Sequence, residues 1–144
     1  IYIDDRWLYE SVDEVDQYKF KDLNLELPEK ICEGFDLTFV GAGYTTKVCL
    51  EANKILKDYS ISADVFDMRV LNPIRMESII ESVKKTGRLI VVDGGWPNCG
   101  LASEIIASVT ENLLPNIFLN PPKRITLQNV PAPTSYKLEK NYYH

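Results

Sequence analysis

The sequence offers two glycine-containing segments in which binding or catalysis could take place. The first, from Gly41 to Thr46, follows an apolar run and precedes a helical pattern, as a dinucleotide-binding loop does. Asp67 ends the next apolar run, where such a fold places the carboxylate that binds ribose hydroxyls. Thr46 replaces the third glycine of the fingerprint. The segment is therefore predicted to be a structural turn, with a full cofactor site or a helix N-terminus that meets a phosphate or carboxylate as the alternatives.

The second segment runs from Asp93 to Gly100 and is the most unusual stretch of the chain. It follows the apolar run of residues 89–92, so it lies at the carboxyl end of a predicted strand, where α/β proteins place functional groups. Trp96 within it is costly to leave in water. Three roles stay open for this side chain: packing in the core, contact with a partner subunit, and contact with a substrate. Aromatic residues are enriched at the centres of interfaces.

Other catalytic patterns are missing from the sequence. Its single histidine, His144, is the last residue, and a general base is not expected in such a position. No GxSxG, P-loop or HExxH pattern occurs. The carboxylate pairs Asp4-Asp5 and Asp64/Asp67 suggest exposed charges or helix caps. We therefore expect no catalytic, cofactor-binding or metal-binding residue in this chain.

Composition narrows the class of protein further. A chain of 144 residues suggests one domain, and 45% hydrophobic with 26% charged residues is ordinary for a globular protein. The net charge of -5 and the lack of a basic run argue against nucleic acid as a partner. No apolar stretch reaches the roughly 20 residues that span a membrane. The three cysteines show no CxxC spacing; they are predicted to be small buried hydrophobes in a reduced, intracellular protein: Cys32, Cys49 and Cys99.

Strand and helix patterns alternate three times in the middle of the chain, and these elements would position the two glycine segments. Apolar runs predict strands at 37–40, 63–67 and 89–93, and apolar residues at helical spacing predict a helix after each one. The second helix is predicted to start with Asn72 as its cap and Pro73 as its first residue, and to end at Gly87. This alternation predicts an α/β protein: a three-layer α/β/α sandwich with a mainly parallel sheet.

Weaker patterns flank these elements. Residues 30–33 predict an additional edge strand that is antiparallel, and residues 124–127 predict the last edge strand. Residues 10–26 are predicted to be an exposed linker. The tail from Val130, with its two prolines and three tyrosines, is predicted to be extended and packed against another part of the protein. The chain starts without an initiator methionine and reads as an excerpt from a longer protein.

Several strings together resemble one family: the beta subunit of the first component of 2-oxo acid dehydrogenases, the enzymes that act on pyruvate, branched-chain 2-oxo acids or acetoin. Each string is common alone, and their order and spacing carry the likeness. They are Ile3 to Tyr9, Asp36 to Gly41, Asp67 to Pro73, Gly94 to Gly100 with Glu104, Arg124 to Thr126, and Val130 to Glu139.

This resemblance implies a transketolase C-terminal-type fold over residues 29–144, with a five-stranded mixed sheet that has one antiparallel strand. Residues 1–28 would be the end of a preceding pyrimidine-binding domain and a linker. The parent enzyme would use thiamine diphosphate and Mg²⁺ to decarboxylate a 2-oxo acid and pass the acyl group to a lipoyl arm. In the family, that cofactor lies between the alpha subunit and the pyrimidine-binding domain, so the resemblance brings no cofactor residue onto this chain.

The implied role is assembly. Partners would be the alpha subunit and a second beta subunit in an α₂β₂ enzyme, together with the dihydrolipoamide acyltransferase core, in the cytoplasm or the mitochondrial matrix. Asn120 stands where many relatives have an acid, which weakens acidic docking at that point. Apolar or planar side chains on predicted loops, with one nearby arginine, are the expected subunit interface: Arg69, Trp96, Pro97, Pro131, Pro133 and Tyr136.

Two other hypotheses stay open. The chain could be the C-terminal domain of a transketolase or a deoxyxylulose-phosphate synthase, which share the fold and the cofactor. It could also be a free-standing dinucleotide-binding module that uses the loop from Gly41 to Thr46.

Overall fold

The computed structural model describes residues 1–12, 14, 20 and 22–143. In this part of the chain, nine strands and α-helices follow one another, and short 3₁₀ turns cover Arg6–Leu8 and Pro115–Ile117. The elements are β1 (Glu29–Cys32), β2 (Leu37–Gly41), α1 (Tyr44–Lys57), β3 (Ala63–Asp67), α2 (Glu77–Thr86), β4 (Leu89–Val92), α3 (Leu101–Glu111), β5 (Lys123–Ile125) and α4 (Tyr136–Tyr143).

The five strands form a single mixed sheet in the order β1-β3-β2-β4-β5. β2 pairs in parallel with both β3 and β4, and β5 pairs in parallel with β4. β1 is antiparallel to β3 at the edge of the sheet. The predicted fold class is therefore confirmed: a mainly parallel five-stranded sheet with one antiparallel edge strand, between helices.

The two faces of the sheet carry separate apolar clusters because side chains alternate along a strand. Phe39 and Val65 point to the face covered by α1, where Cys49 packs against them. Val40 and Phe66, each one residue further on, point to the opposite face with the apolar residues of α2 and α3. The central strand β2 is buried along its whole length, as a strand covered on both sides requires.

The start of α2 differs from the prediction. Asn72 and Pro73 do not cap this helix: the peptide bond between them is cis, the chain stays non-helical through Met76, and α2 begins at Glu77. The predicted end of the helix at Gly87 is confirmed. An acid in the first turn suits the positive end of the helix dipole, and the guanidinium of Arg75 lies 2.7 Å from Glu77. That hydrogen-bonded ion pair holds the pKa of the Glu77 carboxyl below its usual value.

A buried polar network ties α2 to the sheet. Asp64 on β3 has no exposed surface and accepts hydrogen bonds from Ser82 at 2.6 Å and from Lys85 at 3.0 Å. The backbone N–H of Gly34 donates to the same carboxylate at 2.9 Å. Burial alone would raise the pKa of Asp64, but these hydrogen bonds outweigh it and leave the pKa below the usual value. The carboxylate is therefore a structural anchor and does not cap a helix.

The C-terminal tail corrects a second prediction. Residues 126–135 lack regular structure, but Tyr136–Tyr143 form the helix α4 rather than an extended segment. The prolines that favoured an extended tail end at Pro133, and the residues after it contain no helix breaker. Tyr142 is the one buried residue of α4. No helix in the described part of the chain has the length and apolar character to cross a membrane.

The leading segment, residues 1–12, runs over the surface and contains the turn Arg6–Leu8. Within the predicted linker of residues 10–26, those that the structure describes are exposed apart from Glu26. Predictions on the remaining linker residues, and on His144, fall outside the described residues.

Candidate functional site

The two glycine segments meet where the parallel strands β2 and β4 end, as their positions after these strands predict. We call this side of the sheet its carboxyl edge. Gly41 and Asp67 are register partners at the ends of β2 and β3, and β4 lies on the other side of β2. A groove of about 560 Å³ follows this edge. Its walls come from the leading segment, the first turn of α1, the strand ends and α4.

The N-terminus of α1 is occupied by the chain's own carboxylate. Asp5 accepts a hydrogen bond from the backbone N–H of Tyr44 at 2.8 Å, and its other oxygen accepts one from the N–H of Trp7 at 3.1 Å. The N–H groups of a first helical turn are the groups that would bind the phosphate of a dinucleotide. Because Asp5 fills this position, the contacts favour the alternative in which the N-terminus of α1 binds a carboxylate.

The acid that would bind a ribose is also engaged. Thr46 donates its hydroxyl proton to Asp67 at 2.7 Å. Arg69 lies 3.4 Å from the other oxygen of Asp67 and forms a second ion pair with Glu29. The replacement of glycine by Thr46 thus has a structural role, since this side chain joins the first turn of α1 to the end of β3. These contacts argue against the dinucleotide-binding hypothesis.

The second glycine segment folds around Asp93. This carboxylate accepts hydrogen bonds from the N–H of Gly95 at 2.8 Å and from the N–H of Ala102 at 2.9 Å. Ala102 lies in the first turn of α3, whose N-cap residue, Gly100, has no side chain to satisfy it. Asp93 therefore caps α3 from a distance of nine residues and fixes the glycine turn at the same time.

Gly100 is required by close packing inside this turn. A Cβ atom at this position would lie 2.5 Å from the carbonyl oxygen of Trp96 and 2.7 Å from Asp93. Arg124 on β5 fastens the turn from outside, because its guanidinium donates to the carbonyl of Pro97 at 2.6 Å and to the hydroxyl of Ser103 at 2.6 Å. The turn thus joins β4, α3 and β5 through these hydrogen bonds.

Trp96 lies in this turn, and 48% of the residue is exposed. Its indole N–H donates to the hydroxyl of Tyr142 at 2.8 Å. The Tyr142 hydroxyl also lies 3.2 Å from the carbonyl of Gln128 and 3.1 Å from that of Val130. Trp96 is therefore not a residue of the core: one edge anchors α4, and the rest of the ring faces outward.

An aromatic cluster extends the same edge. The ring of Trp7 lies 5.7 Å from that of Tyr44 and 5.3 Å from that of Tyr143, and the rings of Tyr142 and Tyr143 meet edge to face at 4.9 Å. Such spacings are favourable for aromatic pairs. The cluster joins the leading segment, α1 and α4 at one place.

The six predicted interface residues have different environments. Pro131 and Tyr136 are exposed, the latter at 70%, and Pro97 and Pro133 are partly buried. Trp96 lines a shallow cavity of about 420 Å³ together with Ala132, and Tyr136 lines the adjacent groove. Arg69 is exposed but lines neither, because it lies at the end of β3 in its two ion pairs. The structure thus brings Trp96, the proline tail and Tyr136 to one edge and places Arg69 apart.

The cysteines do not share one environment. Cys49 is fully buried in the core beneath α1, and burial raises the pKa of its thiol to about 12, so it is unreactive at neutral pH. Cys32 is partly buried. Cys99 is exposed, contrary to the prediction that all three are buried, because it is on the outside of the glycine turn with a positive φ of 58°.

The residues at this edge do not fit thiamine diphosphate with Mg²⁺. Asp5 already accepts a hydrogen bond from the first turn of α1, and the negative charge of this carboxylate would repel a diphosphate. Among the residues that the structure describes, no three His, Cys, Asp or Glu side chains converge on a point where a metal ion could bind.

The sheet order and the helices on both faces define an α/β/α domain. Residues 28–143 match the family described as "Transketolase, C-terminal domain", and the chain belongs to that family.

Curated relatives give the likeness in more detail. The chain is 39% identical over 108 residues to the mitochondrial pyruvate dehydrogenase E1 component subunit beta of Dictyostelium discoideum, covering 74% of the chain and 30% of that protein. It is 37% identical over 109 residues to the same subunit of Homo sapiens, covering 76% of the chain and 30% of that protein. The chain thus spans about 30% of the length of these relatives.

A solved structure with the same fold is a split gene transketolase, an inactive beta4 tetramer. It superposes with a TM-score of 0.69 at 28% identity and covers 91% of this chain and 41% of that chain. Both comparisons agree with the resemblance that the sequence strings indicate.

Sequence reasoning missed the residues that close the carboxyl edge. Asp5 belongs to a carboxylate pair and Trp7 to a family string, but no pattern in the sequence predicts that either contacts α1. The tail that contains Tyr142 and Tyr143 is predicted to be extended. A signal was available for the tail, since residues 134–143 contain neither proline nor glycine.

Proposed function

We propose that this chain serves as the C-terminal domain of the beta subunit of a thiamine-diphosphate-dependent 2-oxo acid dehydrogenase, where it holds subunits together. The observation that carries the proposal is the likeness to pyruvate dehydrogenase beta subunits over most of the chain. The whole enzyme would decarboxylate pyruvate or a branched-chain 2-oxo acid oxidatively and transfer the acyl group to a lipoyl arm.

The catalytic cofactor would be bound by other parts of that enzyme. At the carboxyl edge, where an α/β fold usually binds its ligand, Asp5, Asp67 and Asp93 already accept hydrogen bonds from the chain itself. Those carboxylates are all committed to backbone amides or neighbouring hydroxyls. Thiamine diphosphate and Mg²⁺ would therefore act in the parent enzyme and not on this chain.

The surface around Trp96 is the best candidate for contact with the alpha subunit and with a second beta subunit. Trp96 and Tyr136 expose large aromatic surface beside Pro131, and the glycine turn that carries Trp96 is held by Arg124 and Asp93. Rigid aromatic side chains bind partners with little loss of conformational entropy. Arg69, which follows β3 and lines neither the groove nor the cavity at Trp96, would form a separate contact.

The same assembly would bring the chain near the dihydrolipoamide acyltransferase core. Location follows the relatives: several are named as mitochondrial, and one is the beta subunit of the bacterium Rickettsia bellii. We infer the mitochondrial matrix for a eukaryotic source and the cytoplasm for a bacterial one.

Calorimetric titration tests whether this chain binds a partner subunit and leaves the cofactor to other parts of the enzyme. The chain is titrated with thiamine diphosphate plus Mg²⁺, and separately with NAD. The proposal expects no heat of binding in either case, and the chain mixed with its alpha subunit serves as the positive arm, where association is expected. Binding of thiamine diphosphate to the chain alone would place the cofactor here and contradict the proposal, and binding of NAD would restore the dinucleotide hypothesis.

A transketolase C-terminal domain is the second candidate function, and the split gene transketolase that covers 91% of this chain favours it. The higher identity of 37–39% to the dehydrogenase subunits favours the first. The partner chain separates the two, because the partner of a split-gene transketolase and a dehydrogenase alpha subunit are different proteins. Coexpression with each type of partner and co-purification decides between them.

A further inference from the structure

Helix α4 is attached to the rest of the domain by few contacts. It has eight residues, of which Tyr142 is the one that is buried. A helix of this length is not stable by itself in water, because nucleation costs more than so few hydrogen bonds return. Its structure therefore depends on the contacts that hold it against the carboxyl edge of the sheet.

One attachment is the hydroxyl of Tyr142. It accepts the indole N–H of Trp96 and has a single proton, which it donates to the carbonyl of Gln128 or of Val130. This attachment belongs to the glycine turn and the tail that leads into α4. It holds the helix at its C-terminal end from one side.

The other attachment comes from the opposite end of the sequence. Trp7 lies against Tyr143 of α4 and against Tyr44 of α1. Asp5 orients it, because the same carboxylate accepts from the N–H of Trp7 and from the N–H of Tyr44. One carboxylate thus fastens the leading segment to α1 and aims the indole ring at α4.

These two attachments close one groove. The lining of the groove of about 560 Å³ includes Trp7 from the leading segment, Thr45 and Val48 from α1, and Tyr136 and Lys140 from α4. Movement of either the leading segment or α4 would remove one of its walls. The groove therefore keeps both of these walls only while Trp7 and α4 are in place together.

We propose that α4 is a detachable strap over the carboxyl edge of the sheet, and that the leading segment controls its attachment through Trp7. Displacement of the leading segment frees Tyr143 and lets α4 detach locally, while the sheet and α1–α3 stay folded. This inference does not depend on the identity of the parent enzyme, since it rests on contacts within the chain.

Hydrogen exchange, followed by mass spectrometry on the whole 144-residue chain, tests the strap. Trp7→Leu should raise the exchange rate of the α4 amides about threefold to tenfold, as expected for the loss of an aromatic pair, while amides of β2 and β4 exchange as before. Trp7→Phe keeps a ring and should retain most of the protection. Tyr59→Leu, which removes an exposed aromatic side chain at the far end of α1, is the control and should change nothing in α4.

A double-mutant cycle supplies the second readout. If Trp7 acts through Tyr143, adding Tyr143→Leu to Trp7→Leu should increase α4 exchange by less than the product of the two single effects. Unchanged α4 exchange in Trp7→Leu, or purely multiplicative effects, would overturn the proposal. Equal acceleration in α4 and in the sheet would also overturn it, because Trp7 would then stabilise the domain as a whole.

Discussion

The indole nitrogen of Trp96 donates a hydrogen bond to the hydroxyl of Tyr142 at 2.8 Å, across 46 positions of the sequence. The bond joins the glycine turn after β4 to the C-terminal helix. One edge of the indole ring anchors α4, and we propose that its exposed face contacts a partner subunit. The two functions can be tested independently.

Replacement of Trp96 tests them. Trp96→Phe removes the N–H but keeps an aromatic face, so it should cost about 1 kcal/mol of stability and leave association with the alpha subunit nearly intact. Trp96→Ala should weaken that association at least tenfold, more than it lowers stability. Chemical denaturation and sedimentation of the complete beta subunit with its partner measure the two effects. A large loss of stability with unchanged association would make Trp96 an ordinary structural residue.

The carboxylate of Asp5 provides a test of the closed α1 N-terminus. Asp5→Asn should lower the free energy of unfolding by about 1 kcal/mol, because it removes a charged acceptor from the positive end of the helix dipole. Asp58→Asn, at the opposite end of α1, is the matched control and should be neutral or slightly stabilising. Urea denaturation of the three proteins gives the comparison. An equal effect of both substitutions would mean that the Asp5 bond contributes nothing specific.

Gly100 and Gly94 form a matched pair within the second glycine segment. Gly100→Ala should destabilise the domain by about 2 kcal/mol or more, since the new Cβ would meet the Trp96 carbonyl and the Asp93 carboxylate. Gly94→Ala should be tolerated, because the nearest atom to its Cβ would be 3.7 Å away. Thermal unfolding measures both. Equal tolerance of the two would contradict the packing described for the turn.

The buried carboxylate of Asp64 predicts a pH effect. Its pKa in the folded state lies below the usual value, so its contribution to stability is complete above about pH 4 and is lost as the pH falls through the lower, folded pKa. Asp64→Asn should lower stability at pH 7 by about 2 kcal/mol and flatten the loss of stability in acid. Exposed Glu51→Gln is the control. Denaturation curves between pH 2 and 7 check the result, and an unchanged acid slope in Asp64→Asn would contradict the role of the network.

Much of the fold could be predicted because the central elements obey local rules. β2, β3 and β4 are short segments rich in apolar strand-forming residues, and the helix after each has apolar residues at helical spacing, so their type and order follow from the sequence. The antiparallel edge strand was also predicted. The start of α2 was not, since Asn72-Pro73 fits the pattern of a helix start and equally that of a turn. The prolines before α4 favour an extended tail, so the pattern does not predict this helix. Tyr142 is its one buried residue.

The site was less predictable because its contacts are between distant residues. Asp5 and Tyr44 are 39 positions apart, and no spacing rule relates them. The sequence predicts that the glycine segments meet at the carboxyl edge. It does not predict that Asp5 of the leading segment bonds to α1 there. The prediction of a structural turn rested on Thr46 replacing a glycine. The bond from Thr46 to Asp67 gives that substitution a physical reason.

We propose that this domain holds a multi-subunit enzyme together. The most direct measurement is sedimentation velocity of the complete beta subunit mixed with its alpha subunit, compared with a beta subunit from which residues 28–143 have been removed. Circular dichroism of the shortened subunit checks that its remaining domain is folded. The account predicts a stable α₂β₂ species with the complete subunit and separate sedimentation of the chains with the folded, shortened one. An α₂β₂ species of undiminished stability without residues 28–143 would contradict it.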